Sequence, residues 1–299
     1  MGYVYLLKCE QALQSPHPWR SPAGRWNTRR PVAGTGRVRL HTMTSDLTPE
    51  SLRCVRADAR EPEGYRAALG DTRASLLHTD PPYCLLTRRR KGGDLRDPRA
   101  NKKIDRNPIV RFESVRDYRV FSEAWLTRAT AHLTPDAPLI IWTNLLGKEP
   151  ILTAAHGLGY THLRGEYVWG KRTTDKNANE QMLRVYEVAL VIARTPAPVL
   201  APGDAPTVWA VVGGYDDDAE AAQWGGHPHH KPFSVLEPLV RTWSRPGDTV
   251  LDPFAGSGSM PSAALRLGRR PACMEVEPEW AERVTHRLRE TARQLASAR

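Results

Sequence analysis

Five consecutive residues, Thr79-Asp80-Pro81-Pro82-Tyr83, put a carboxylate, two rigid rings and an aromatic face into one corner of the chain. Proline fixes its own φ and biases the residue before it toward extended backbone. Asp80 is therefore held extended, with its carboxylate and the nearby backbone carbonyls pointing one way. Tyr83 sets an aromatic face beside these acceptors. Such a group suits an exocyclic amine on a planar base, because acceptors grip the N–H bonds while the ring stacks on the base. A Pro-Pro turn capped by an acid has the same letters, and short motifs match by accident, so the corner needs a second, independent signal.

That signal lies near the other end of the chain. Val250-Leu251-Asp252-Pro253-Phe254-Ala255-Gly256-Ser257-Gly258 reads as a buried strand running into a glycine-rich turn. Gly256 and Gly258 let the backbone pass close to a ligand where side chains would obstruct it. Pro261 suits the first turn of a following helix. A short strand around Ala272-Cys273-Met274 then presents Glu275, and an acid at the end of the second strand is the expected acceptor for two ribose hydroxyls. Glu277 begins the last helix, where an acid favours the N-terminus.

Together the two motifs resemble those of the S-adenosylmethionine-dependent amino-methyltransferases that act on DNA. The catalytic motif precedes the cofactor motif, which is the order of the permuted beta group of that family. The resemblance covers about residues 50–290. It implies an α/β, Rossmann-like methyltransferase fold with a mostly parallel twisted sheet and helices on both faces, circularly permuted in motif order. It implies S-adenosylmethionine as cofactor, with no metal, and DNA as partner. Asp80, Pro81, Pro82 and Tyr83 are then catalytic, and Asp252, Phe254, Gly256, Gly258 and Glu275 bind the cofactor. Asp58 falls where the family has an acid close to the cofactor's adenine. His227-Pro228-His229-His230-Lys231-Pro232 matches the family's His-Pro-x-x-Lys-Pro, which directs Lys231 to the methionine carboxylate. In the family, Asp-Pro-Pro-Tyr is more usual for adenine N6 and Ser-Pro-Pro-Tyr for cytosine N4. Adenine N6 is therefore the expected target, with cytosine N4 the alternative; RNA amino-methylation and a non-catalytic nucleic-acid-binding module are further ones. The absence of a Pro-Cys nucleophile motif agrees with direct transfer to an amine.

The elements that must position these residues follow from periodicity. Ala74–His78 reads as the buried strand before the catalytic corner, and residues 52–58 as a strand ending in an acid. Residues 62–70 are helical in pattern with Gly70 as cap. Residues 117–133 carry Tyr118, Phe121, Trp125, Leu126, Ala129 and Leu133 at helical spacing. Pro138–Trp142 is a buried strand, Pro150–His156 a short helix, and Arg164–Trp169 with Tyr186–Ala193 a terminal pair of strands. The helix 233–243 leads through Pro246-Gly247-Asp248 into the strand 249–252.

At 299 residues the chain can be one large α/β domain. Residues 1–42 are read as a basic, disordered leader and 43–299 as the methyltransferase domain, with Met43 an alternative start to Met1. A formal net charge of +10 favours a polyanionic partner, but six of those charges lie in the leader. Within the domain, a basic loop at 84–116 leaves the catalytic corner, and Arg88, Arg89, Arg90, Lys91, Lys102 and Lys103 are placed to clamp phosphates around an extruded base. A short insert, 195–226, stands where the family inserts its target-recognition region. Four scattered cysteines without a Cys-x-x-Cys pair fit a reducing cytoplasm, so a cytoplasmic, nucleoid-associated bacterial protein is expected. No apolar run approaches a membrane span. A homodimer and a restriction endonuclease are the protein partners that the resemblance leaves open.

Overall fold

The computed structural model describes residues 48–87, 110–170, 186–196, 219–224 and 230–297, all within the unit spanning Leu40–Arg299. Seven strands form one sheet: β1 (Cys54–Arg56), β2 (Leu76–Thr79), β3 (Leu139–Thr143), β4 (His162–Gly170), β5 (Tyr186–Ala193), β6 (Thr249–Asp252) and β7 (Arg270–Glu275). Their order across the sheet is β1-β7-β6-β2-β3-β5-β4. The pairs from β1 to β3 are parallel, whereas β3–β5 and β5–β4 are antiparallel.

The residues of the central strands β2, β3 and β6 are buried on both sides because helices cover both faces. Alternate residues segregate as the two-residue pleat requires. Leu77, Leu139, Ile141 and Leu251 enter a core with Tyr65 of α1 (Pro62–Leu69), Trp125 and Leu126 of α2 (Val115–Ala131), and Ile151 of α3 (Lys148–Gly157). Leu76, Ile140, Trp142 and Val250 enter the opposite core. That core also holds Val235, Leu236 and Leu239 of α5 (Phe233–Trp243), with Met260 and Ala263 of α6 (Ser259–Arg266). A third cluster, under α7 (Pro278–Ser297), contains Leu265, Val284 and Leu288. A short helix, α4 (Ala219–Trp224), precedes α5 in the chain.

Several boundaries have visible local causes. Ser114 caps α2 by accepting the Asp117 N–H at 3.2 Å, while its own hydroxyl donates to the Asp117 carboxylate at 2.8 Å. Gly70 ends α1 at φ +59°. The sequence places the strand before the catalytic corner at 74–78, but it begins at Leu76; Ala74 instead makes an isolated bridge to Leu133. The first strand, expected over 52–58, is confined to Cys54–Arg56, because the Asp58 carbonyl accepts the Glu61 N–H and opens a turn.

The chain walks outward from β2 to β3 and, much later, outward in the opposite direction from β6 to β7. β2 and β6 are therefore adjacent parallel strands at a topological switch point, where open α/β sheets bind ligands beyond the carboxyl ends.

Candidate active site

Both chemistry-bearing corners arise at that switch point. Leu76 and Leu77 pair with Val250 and Leu251, a register that sets Asp252 level with His78, so the corner bearing Asp80 leaves β2 beside the turn that leaves β6. The Thr79 hydroxyl donates to Asp252 Oδ1 at 2.7 Å, joining the corners directly. The same oxygen accepts the Phe254 N–H at 3.1 Å. Burial, opposed by these two hydrogen bonds, pushes the Asp252 carboxyl up to about 7.

Asp80 sits just past β2 with its side chain 5% exposed. Its Oδ2 accepts a hydrogen bond from the Lys231 ammonium, and its Oδ1 is buried without a hydrogen-bond partner. Lys231 also reaches Glu187 Oε2 at 2.9 Å and the Tyr83 hydroxyl at 3.4 Å. The ammonium lies 4.9 Å from the Trp142 ring, 5.8 Å from Tyr83 and 6.0 Å from Trp169. Burial works against its charge, but Asp80 and Glu187 more than offset this and hold its pKa above the usual lysine value. For Tyr83, burial and then the same two carboxylates hold the phenol well above its ordinary range, so the hydroxyl stays protonated. His78, buried and close to Lys231, is pushed down to about 3 and is neutral; its Nε2 accepts the Trp142 indole N–H at 3.1 Å.

The resemblance directs Lys231 to the cofactor's methionine carboxylate, whereas the structure turns its ammonium onto Asp80 and Glu187. Its backbone N–H meets Ser259 Oγ at 3.3 Å, and His230 Nδ1 lies 3.0 Å from the same oxygen, which binds this segment to the start of α6. Tyr83, expected to offer an open face, is 9% exposed and packed with Trp142 and Trp169.

Along the carboxyl edge, the strands present their end residues in a row. Asp58 follows β1, Glu275 ends β7, the Gly256–Gly258 turn follows β6, and Asp80 follows β2. Asp58 is paired with Arg60 at 2.5 Å, and that pairing holds its carboxyl below the usual range. Glu275 accepts the Gly256 N–H through Oε2 at 2.8 Å and the Glu277 N–H through Oε1 at 3.0 Å, bracing the turn. Gly256 and Gly258 have φ +50° and +76°. At Gly258 a Cβ would meet Val284 at 3.2 Å, so this glycine serves the left-handed turn and the approach of α7. Phe254 packs edge-on against Trp125, with ring centroids 5.2 Å apart.

Arg88, Arg89, Arg90, Lys91, Lys102 and Lys103 lie outside the described residues. The base of their loop is pinned, because Leu85 and Thr87 exchange backbone hydrogen bonds with Phe112 at 2.9 Å. The sequence assigns neither Glu187 nor Thr79 a role, although Thr79 opens the motif. Glu187 does carry a signal, as an acid opening the otherwise apolar run Val188–Ala193; Thr79 carries none.

A profile of the N6/N4 DNA methylases matches residues 74–286. In solved structures, the fold is similar to M1.HpyAVI in complex with S-adenosylmethionine, with TM-score 0.59 and 20% identity over 79% of this chain and 98% of that one. It is also similar to the cytosine-N4-specific PvuII DNA methyltransferase, with TM-score 0.56 and 14% identity over 81% and 92% of the two chains. Among curated proteins, YubD of Escherichia coli (strain K12) is 44% identical over 62 residues. That match spans 21% of this chain and 27% of YubD.

Proposed function

The chain belongs to the N6/N4 DNA methylase family, and from that membership we propose that it transfers a methyl group from S-adenosylmethionine to the exocyclic amine of a base in DNA. Asp80 at the head of the catalytic motif supports adenine N6 as the target. The observation that carries the proposal is the junction of the two corners: Thr79 hydrogen-bonds Asp252, and the next residue, Asp80, presents a buried Oδ1 with no hydrogen-bond partner.

The residues along the strand ends suit the cofactor. The Gly256–Gly258 turn and Glu275 would hold the adenosyl moiety, with Asp58 on the next strand toward the adenine. The carboxylates of Glu275 and Asp58 are acceptors for hydroxyl and amine groups, which is what the ribose and adenine of a nucleoside offer. Bound there, S-adenosylmethionine supplies an electrophilic methyl on a sulfonium.

The chain's own task is to prepare the nucleophile. An exocyclic amine is weakly nucleophilic because its lone pair is conjugated with the ring. Asp80 Oδ1 accepts one N–H bond and the Pro81 carbonyl the other, which favours a pyramidal nitrogen and frees the lone pair. Methyl transfer would form the N–C bond as the C–S bond breaks, leaving the cofactor's sulfur as a thioether, and the nitrogen's surplus proton would leave along its hydrogen bond to Asp80 and on to water. Asp80 complements the positive charge that develops on nitrogen. Tyr83 offsets part of the cost of unstacking the base once it turns a face to the site.

The test is transfer of labelled methyl from S-adenosylmethionine to duplex DNA, RNA or protein by the full chain and by Asp80→Ala. Duplex DNA should be labelled by the parent, and the variant should lose turnover by at least a hundredfold, on the order of removing one preorganised group, with cofactor affinity kept. Nucleoside mass spectrometry then reads the base. Only N4-methylcytosine would refute adenine, and label in RNA or protein but not DNA would refute the substrate class.

A further inference from the structure

Lys231 is among the largest fully buried side chains of the described residues. Its ammonium contacts two carboxylates that reach it from different strands, Asp80 after β2 and Glu187 in β5. Burying a cation is costly unless it is well paired. One carboxylate would balance its charge; two leave the cluster with one net negative charge. Of the other titratable groups nearby, His78 and Tyr83 are neutral, and Asp252, beyond Thr79, is an acid whose charge burial and Asp80 oppose, so Asp80, Lys231 and Glu187 set the charge at the ammonium itself.

Resting on the amine methylation read above, we propose that Lys231 and Glu187 are positioning residues for Asp80. Lys231 ties down Oδ2, so the carboxylate cannot turn about its soft terminal torsion and Oδ1 alone faces the substrate amine. Glu187 shares the ammonium, so the cation does not cancel the Asp80 charge. One negative charge therefore faces the nitrogen on which positive charge develops, inside a water-poor site where fixed charges act strongly. The rings of Trp142 and Trp169 add cation–π contacts that hold the ammonium in place. Glu187 touches no reacting atom; it acts through Lys231.

The experiment uses the full chain and four variants: Asp80→Ala, Glu187→Gln, Glu187→Asp and the double variant Glu187→Gln/Lys231→Met. Single-turnover methylation of duplex DNA is measured beside the calorimetric Kd for S-adenosylmethionine. Glu187→Gln should slow transfer about tenfold, less than the hundredfold or more of losing a group that meets the reacting atoms, because Glu187 acts through Lys231, with the cofactor Kd within about twofold, a change of under 1 kcal/mol. Glu187→Asp keeps the charge and should recover part of the rate, which a purely structural loss would not do. The double variant removes Lys231 and Glu187 but leaves the buried Asp80 carboxylate without its cation, a destabilising change, so its rate is read only where the cofactor Kd is kept; with Oδ2 no longer held, it too should transfer about tenfold more slowly or worse.

Parental rates in Glu187→Gln or in the double variant overturn the proposal. So does a cofactor Kd that weakens in step with the rate, since the ammonium would then serve the cofactor. If Asp80→Ala is inactive while Glu187→Gln keeps the parental rate, the positioning role alone falls. If Asp80→Ala itself turns over normally, the reading of the whole site falls with it.

Discussion

Thr79 and Asp252 stand 173 positions apart in the chain and share a 2.7 Å hydrogen bond. Each ends its strand, and the strands are parallel neighbours, so this contact sets the spacing between the corner that presents Asp80 and the corner that turns at Gly256. Thr79→Val keeps the shape and removes the donor. Leaving a buried acceptor short of a partner costs about 1–3 kcal/mol. The expected outcome is a lower midpoint of thermal unfolding together with a lower kcat/KM for methyl transfer. Scanning calorimetry and steady-state kinetics on the same preparation check both.

Asp252 makes stability depend on pH in a defined direction. Its carboxyl rises from the ordinary 3.8 to about 7 in the folded chain. A raised acid favours the folded state most fully below the unfolded value, and that contribution is lost as pH rises through the folded value. The loss therefore runs from about pH 4 to about pH 7 and amounts to on the order of 4 kcal/mol for a shift of this size. Asp252→Asn retains an acceptor for Thr79 and Phe254 and has no such titration. Urea unfolding at pH 5 and pH 8 should show the variant gaining on the parent at the higher pH; an unchanged difference would rule out Asp252 as the source.

Glu275 braces the glycine turn by accepting two backbone N–H groups. Glu275→Ala removes both acceptors and the acid assigned to the ribose. Hydrogen bonds to a charged group are worth about 1.5–3 kcal/mol, so cofactor affinity should fall about 10- to 100-fold. Calorimetric titration with S-adenosylmethionine measures this, while a mobility-shift assay should find DNA affinity unchanged.

Gly258 combines φ +76° with a 3.2 Å approach to Val284. Gly258→Ala places a Cβ in the left-handed region at a cost of about 1–2 kcal/mol and crowds α7 as well. Its denaturant midpoint should fall, and Val284→Ala in the same chain should restore only the crowding part, because the backbone strain is local.

Much of the scaffold was legible before any coordinates. Helix 233–243 and strand 249–252 match the expected ranges, because Pro232 opens the helix and the Pro246-Gly247-Asp248 turn separates two apolar runs. The terminal pair of strands also stands where its apolar runs lie. Ends are less legible: the sequence makes Asp58 the last residue of the first strand, yet its carbonyl already belongs to a turn. The role of Thr79 is not legible, since a threonine at a strand end looks the same whether or not an acid from a distant strand meets its hydroxyl.

What the amino-acid order alone determined is local: a rigid acidic corner at Asp80, a left-handed turn at Gly256 and Gly258, and the apolar periods that make strands and helices around them. These follow from φ restrictions and from the repeat lengths of helix and strand, which neighbouring residues set among themselves. Tertiary structure decided where charge meets charge. Lys231, 151 positions from Asp80, could have faced a ligand or solvent as far as its neighbours in the chain are concerned. Only the sheet order, which puts β6, β2, β3 and β5 side by side, brings Asp80 and Glu187 to one buried ammonium, because the cost of burying that cation is met by partners that no local pattern can name.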